Sequence, residues 1–388
     1  SLPETFHPPS AMALQFLQQL LLRWSDINRQ IPGVIVLAGT ESDVITAITI
    51  AVENKIPFVP CSGGHSLWST IGQEGFILDL RLLTNISVNV ELRQVTLQSG
   101  VLVKQANDVA WEHGLCLPLG TANTAGVVPM ALGGGLSTFS GIMGFASDNI
   151  VSAKLVTADG QLVTASSTSH PDLLYGLRGA GQFLVWRTLL LSSEHPTEAF
   201  GQELWYSPLQ KLRLYFNFVY ANHGICIITS PPPTFTTTLV IIPVFFGEAA
   251  DAERFYEPLI SLGPFSTCQN GGFKQFSGAA IIARYDELTS ECPDARTSGY
   301  AVEWNTYDTE FLSWYSDPAS HEAVSRAEQD VISLARRGQE DSEFRSYQNW
   351  SRDGPIEYMY SGKARQDRLR ALKQTWDPAG VFTRLFLE

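Results

Sequence analysis

One short stretch limits the folds open to this chain more than any other. Cys61-Ser62-Gly63-Gly64-His65-Ser66 follows directly on the apolar run Ile56-Pro57-Phe58-Val59-Pro60. The run reads as a buried strand that ends in a turn of small residues and then presents one histidine. Glycines let backbone N–H groups approach a ligand closely, and successive N–H groups in such a turn form a nest for an anion. The histidine stands beside whatever that nest holds. Taken alone, the hexapeptide is also what a loop histidine beside a tight turn looks like.

The segments around it alternate between strand and helix. Gly33–Ala38 is a short apolar strand, and Thr40 caps a helix with Asp43 at its third position. Val44, Ile45, Ile48 and Val52 carry helical spacing as far as Asn54. This βαβ unit has no G-x-G-x-x-G, so a Rossmann dinucleotide site is not indicated. Leu78-Asp79-Leu80 and Val88 to Leu97 read as further strands, and Val103 to His113 as a helix stopped by Gly114. Ile150–Ala158 and Gln161–Thr164 flank Asp159-Gly160, a hairpin signal. Character changes near Glu194-His195-Pro196 to long β-branched and aromatic runs such as Thr234 to Phe246, with a helix expected over Glu248 to Leu262.

Downstream of His65, three more stretches appear in order. They are Gly120-Thr121-Ala122-Asn123-Thr124-Ala125-Gly126, then Gly133-Gly134-Gly135, then Gly144-Phe145-Ala146-Ser147-Asp148-Asn149. Tyr347-Gln348-Asn349-Trp350 and Trp376-Asp377-Pro378 follow near the C-terminus. This order resembles the berberine-bridge-enzyme-like FAD-linked oxidases of the vanillyl-alcohol-oxidase superfamily. The resemblance implies an α+β, PCMH-type fold. An FAD-binding domain is expected from residues 1–195, with 345–388 returning to it. Between them, 196–344 would form a substrate domain of antiparallel sheet backed by helices.

The same resemblance assigns roles to residues. Cys61, Ser62, Gly63, Gly64, His65 and Ser66 would hold the FAD pyrophosphate, with His65 bonded covalently to the flavin ring. Gly120, Thr121, Thr124, Gly126, Gly134, Gly135 and Gly144 would line the cofactor. Asp148, Asn149 and Ile150 would support its adenosine end, although an Asp-Asn turn before a strand is equally a structural device. Many relatives carry a second flavin link from a cysteine, and Ala122 occupies that position here. The expected attachment is therefore through His65 only. Met130 stands where a histidine often precedes the triple glycine. A further departure follows Arg178-Gly179-Ala180-Gly181-Gln182-Phe183, where relatives continue with a glycine and a strand and this chain reads Leu184-Val185-Trp186.

For catalysis the resemblance points to Glu303 as base, in Arg296-Thr297-Ser298-Gly299-Tyr300-Ala301-Val302-Glu303-Trp304, and to Tyr347 as a phenol partner. Asn349 and Trp350 would contact FAD. A lone glutamate on a strand is otherwise read as a solvated side chain. The implied activity is an FAD-linked oxidase acting on a small organic substrate, of the secondary-metabolite kind, with O2 as electron acceptor. Two alternatives stay open: a cyclase or pericyclase without net redox, and a carbohydrate oxidase. Trp205, Phe216, Phe245, Phe246 and Trp304 lean against the open polar cleft a carbohydrate oxidase would want.

Composition excludes other classes. A formal net charge of −13 with no basic cluster argues against nucleic acid as partner. Five scattered cysteines with no C-x-x-C pair argue against a disulfide framework or a zinc site, and a single disulfide, Cys268 with Cys292, stays open. Ala11 to Leu22, broken by Gln15, Gln18 and Gln19, is too short to span a bilayer and reads as an amphipathic helix. A start at Ser1 and the sequon Asn85-Ile86-Ser87 fit a secreted or vesicular protein.

Overall fold

A computed structural model describes residues 19–25, 29–67, 69–120, 122–137, 143–181, 185–192, 199–206, 224–229, 238–246, 250–251, 254, 257, 261, 266–269, 296–303, 307–314, 317–335, 347, 349 and 356–382. The chain forms two compact units, one from 1–195 and 351–388 and the other from 196–350.

The first unit opens with a parallel three-stranded sheet. Strands β1 (Val34–Leu37) and β2 (Phe58–Cys61) both pair with the central β3 (Phe76–Asp79), with Val34 and Phe58 each opposite Phe76. Every residue of β3 is buried, as a strand flanked on both sides must be. The crossover from β1 to β2 is helix α1 (Glu41–Asn54). It starts where the sequence places it: Thr40 Oγ1 accepts from Asp43 N at 3.2 Å, and Asp43 Oδ2 accepts from Thr40 N at 2.8 Å. That reciprocal pair fills two orphan N–H groups of the first turn, and the bonds lower the Asp43 carboxyl pKa. Val44, Ile48 and Ala51 form the buried stripe of α1, and Lys55 ends the helix at φ 55°.

A five-stranded antiparallel sheet follows, in the order β4-β5-β8-β6-β7. Its strands are β4 (Ile86–Asn89), β5 (Gln94–Gln98), β6 (Ile150–Val156), β7 (Leu162–Ser166) and β8 (Val185–Ser192). The stretch Val88 to Leu97 is thus two strands, turned at Val90–Arg93 with Arg93 at φ 50°. The Asp159-Gly160 hairpin forms as expected, with Gly160 at φ 78°. Val185–Ser192, which begins in the Leu184-Val185-Trp186 stretch expected to depart from the family pattern, is a strand paired to both β5 and β6.

Helices α2 (Val103–Glu112), α3 (Val127–Leu132) and α4 (Pro171–Ala180) complete this part of the unit. Val44, Ile48, Val95, Leu97, Leu132, Ile150, Leu155, Leu173 and Leu177 share one buried cluster. Each such side chain contributes roughly 1.5–3 kcal/mol by leaving water.

The C-terminal segment packs into the same unit through α6 (Ile356–Met359) and α7 (Lys363–Trp376). Arg368 pairs with Asp172 and lies 3.6 Å above the Tyr175 ring, and Tyr360 Oη donates to Gly179 O at 2.9 Å. Trp376 stands edge-on to His170, and Phe382 edge-on to Phe58. Asp377, the centre of the Trp-Asp-Pro signature, is buried as a helix stop. Its carboxylate accepts from Val381 N (2.7 Å) and Phe382 N (3.1 Å) and pairs with Lys373.

The second unit is a six-stranded antiparallel sheet in the order β12-β9-β11-β10-β13-β14. These strands are β9 (Ala199–Tyr206), β10 (Gly224–Thr229), β11 (Thr238–Phe246), β12 (Ser266–Gln269), β13 (Arg296–Glu303) and β14 (Tyr307–Trp314). Helix α5 (His321–Ala335) belongs to the same unit. The architecture is α+β. Most of the expected helices at 11–22 and 248–262, and Cys292, lie outside the described residues. Among the described residues, no helix is long and apolar enough to cross a membrane and no group of His, Cys, Asp or Glu could hold a metal.

Candidate cofactor site

The site grows from the end of β2. Cys61 is buried there, and burial pushes its thiol up to about 11. Ser62 Oγ donates to Ser99 O at 2.6 Å, which pins the turn to the residue after β5. Gly63 is held backbone to backbone against the second glycine loop: a Cβ on it would lie 2.4 Å from both Gly126 N and Thr124 O. A Cβ on Gly126 would lie 2.4 Å from Ser62 Oγ. Gly64 takes φ 71°, a conformation that excludes most side chains.

His65 follows, half-buried. Its Nε2 lies 2.8 Å from Thr124 Oγ1, and its ring stacks on Trp24 with centroids 5.9 Å apart and planes 20° apart. Burial lowers its pKa from the ordinary 6.5, so the neutral imidazole is favoured at neutral pH.

The second loop is held from below by the start of α2. Val103 N donates to Ala125 O (2.9 Å), Lys104 N to Asn123 O (3.1 Å) and Val127 N to Val101 O (3.0 Å). Ala122 lies exposed in this loop, and Cys116 lies outside it and is in no disulfide. Met130 Sδ accepts from Gly120 N at 3.4 Å, so the thioether fills the space beside Gly120. After α3, Gly134 and Gly135 take φ 116° and 80°, and a Cβ on Gly135 would lie 2.5 Å from Ala146 Cβ. Their carbonyls accept from Ser147 N (2.7 Å) and Ala146 N (2.9 Å), stacking the third loop on the second.

That third loop spends its polar side chains on itself. Asp148 Oδ2 accepts from Phe145 N at 2.9 Å, and a Cβ on Gly144 would lie 2.7 Å from the same oxygen. Asn149 Nδ2 donates to Met143 O (2.8 Å) and Phe145 O (2.9 Å). Ile150 is buried, and its carbonyl accepts from Arg178 Nε (3.2 Å) and Nη2 (2.6 Å). These contacts give Asp148, Asn149 and Ile150 the structural duty that an Asp-Asn turn before a strand also predicts.

The arrangement suits FAD. The backbone N–H groups of Gly63 and His65 have no partner among the described residues, which leaves donors for a diphosphate at a turn with no room for side chains. Ser99 Oγ is also buried without a partner next to the turn.

In the second unit Glu303 ends β13, in register with Tyr307. The register carries its face of the sheet through Ala301, Cys226, Ile241 and Leu204, a face that also includes the positions of Tyr206, Phe245 and Phe311. Tyr347 and Asn349 are joined, Asn349 Nδ2 donating to Tyr347 Oη at 2.9 Å. Thr121, Trp304 and Trp350 lie outside the described residues.

Sequence reasoning missed three residues that serve the turn: Trp24, Ser99 and Arg81. They sit far from His65 in the chain, and no periodicity or motif marks them. Only the sequence rule that a buried polar group needs a partner would have drawn attention to Arg81, two residues after Asp79.

Comparisons with known proteins agree with this geometry. Residues 32–166 match the FAD binding domain family. The FAD-linked oxidoreductase pgmH of Aspergillus terreus is 29% identical over 280 residues, which cover 69% of this chain and 56% of that protein. The FAD-linked oxidoreductase hasG of Aspergillus fumigatus is 25% identical over 436 aligned positions, covering 92% of each. The chain therefore spans little more than half of pgmH but nearly all of hasG.

Three solved structures share the fold. They are 6-hydroxy-D-nicotine oxidase from Arthrobacter nicotinovorans (TM-score 0.82, 19% identity, 99% and 96% covered), Physcomitrella patens BBE-like 1 (0.77, 18%, 96% and 94%) and glucooligosaccharide oxidase from Acremonium strictum (0.74, 16%, 92% and 91%). The last carries a 6-S-cysteinyl, 8α-N1-histidyl FAD. Residues 32–166 are an FAD binding domain, and the chain is similar to fungal FAD-linked oxidoreductases and shares the fold of the three solved proteins.

Proposed function

We propose that this protein is an oxidase of a small organic molecule, of the secondary-metabolite kind, with FAD bonded through His65 alone and O2 as electron acceptor. The observation that carries the reading is the imidazole of His65, held by Thr124 at the glycine turn, with Ala122 in the loop position where a thiolate would be needed. Ala122 has no sulfur, so the loop offers no second link. Because Nε2 is engaged by Thr124, Nδ1 is the nitrogen left to bond the flavin. His65 Nδ1 would bond the carbon of the 8-methyl group, with one methyl hydrogen and the imidazole N–H lost as protons; bound FAD would supply the two-electron acceptor for this bond and dioxygen the oxidant that restores it.

When bound, FAD supplies an acceptor that takes hydride from a substrate C–H bond at N5 and passes two electrons to dioxygen. The protein's part is to orient the substrate and to take the O–H or N–H proton. We assign that proton to Glu303, with Tyr347 as its phenol partner. A carboxylate among apolar neighbours has a raised pKa and accepts a proton near neutrality. The aromatic positions that share the Glu303 face support a substrate with an apolar or aromatic body. Entry into the secretory pathway, supported by the exposed sequon at Asn85, belongs to the same proposal.

Acid-precipitated protein should stay yellow, and its flavin-bearing peptide should contain His65. A flavin on Cys116, or complete release, would refute the attachment. Anaerobic incubation with candidate metabolites should bleach the flavin, and admitting air should restore it with oxygen uptake. Turnover with neither bleaching nor oxygen uptake would establish the cyclase reading instead, and bleaching by oligosaccharides alone the carbohydrate one. Glu303→Gln should slow flavin reduction on the order of a hundredfold while FAD stays bound.

A further inference from the structure

The chain before β1 is tied onto the flavin turn at three points. Arg81 lies along the wholly buried Asp79 carboxylate, with Nε 2.9 Å from both oxygens, and its Nη2 reaches Leu20 O at 2.9 Å. Trp24 N donates to Gly64 O at 3.1 Å. The Trp24 indole then lies nearly parallel to the His65 imidazole, offset as stacked rings prefer. An ion pair whose carboxylate is wholly buried thus fixes the strap, and the strap delivers one aromatic ring to one histidine.

We propose that Trp24 is a positioning residue for His65: its indole restrains one face of the imidazole while Thr124 restrains one edge, leaving Nδ1 presented to the flavin. The inference rests on the attachment reading above. The χ2 torsion of histidine is broad, so a single hydrogen bond from an exposed threonine leaves the ring free to rock about the Nε2–Oγ1 line. A stacked indole removes that freedom. Bond formation at a ring nitrogen is steeply sensitive to such placement, since a misplacement of about 1 Å costs about a hundredfold in rate. Trp24 is suited to a positioning duty because 43% of it is exposed and it takes no part in the buried clusters, so it is not retained for the core. The same ring shields His65 from water and so adds to the burial that keeps the imidazole neutral.

The test uses the full chain with Trp24→Leu, which keeps bulk, and Trp24→Phe, which keeps an aromatic face. Protein made under riboflavin limitation is loaded with FAD, and acid-stable flavin is followed over time. In parallel the His65 ring is titrated by NMR in the flavin-free chain, its resonance identified by its loss in His65→Gln. Trp24→Leu should slow attachment about tenfold or more with FAD still bound. It should also move the His65 titration to higher pH, and Trp24→Phe should restore most of both. Attachment at the wild-type rate with an unmoved titration in Trp24→Leu would overturn the proposal. If wild-type protein releases all its flavin in acid, the attachment reading falls. The titration then decides alone: unmoved in Trp24→Leu, it overturns the stacking role, and raised and restored by Trp24→Phe, it upholds it.

Discussion

At Gly63 two loops meet with no space for a methyl group, and this contact sets the whole cofactor turn. Gly63→Ala would drive a Cβ to 2.4 Å from Gly126 N and Thr124 O, backbone atoms that cannot move without the second loop. The expected cost is about 2–3 kcal/mol in stability, read as a lower urea midpoint, together with loss of bound flavin. His65 makes a pH prediction. Its folded pKa lies below 6.5, so the unfolded chain binds more protons as pH falls through that value. Stability of the flavin-free protein should therefore be full above 6.5 and decline as pH drops below it. His65→Gln should remove that part of the decline in urea midpoints measured from pH 5 to 7.5. The turn, both glycine loops and Thr124 were legible in the sequence because backbone close approach leaves glycine as its residue trace. Trp24, Ser99 and Arg81 were not, because their partners are distant in the chain and nothing local announces them.

Helix α1 shows what local chemistry can specify. Thr40 and Asp43 name the helix start in sequence, and the structure forms both bonds of the box. Thr40→Ala should cost about 1 kcal/mol of unit stability, seen as a lowered thermal midpoint with flavin content unchanged. Strand β8 shows the opposite case. The resemblance implies a departure at Leu184-Val185-Trp186, yet Val185–Leu191 pairs with β6 and Thr188–Ser192 with β5. An apolar run of this kind becomes a strand when two neighbours offer free edges, and tertiary pairing outweighs local divergence. Asp148 and Asn149 are a third case: residue type identified a turn correctly, but only coordinates show that both side chains bond the backbone of the same loop.

At the scale of the molecule, the first unit is assembled from both ends of the chain. Arg368 with Asp172, Tyr360 with Gly179 and Phe382 with Phe58 all join the C-terminal segment to the first half. A chain truncated after Trp350 should therefore retain no flavin and fail to give a cooperative melt, although every glycine of the cofactor turn is present. Asp377→Ala, which strands Lys373 and frees two backbone N–H groups, should reproduce part of that loss at about 3 kcal/mol. The two units divide at residues 195 and 350, the second point later than the return at 345 expected from the sequence. The six-strand order of the second sheet was not legible in the sequence, since strand order in an antiparallel sheet depends on connections and not on composition.

If the protein is the oxidase proposed above, the Cys61 thiol beside the cofactor turn bears on how long it survives its own turnover. An oxidase that releases peroxide at its active centre exposes nearby sulfur to attack, and the thiolate is the form attacked. With its pKa pushed up to about 11, Cys61 is ionised in only about one molecule in ten thousand at pH 7. Burial thus acts as an antioxidant built into the strand, sparing a thiol at the base of the cofactor turn. Of the Cys61 and Cys116 thiols, the less buried Cys116 is the more open to attack, and sulfenic acid should accumulate there ahead of Cys61.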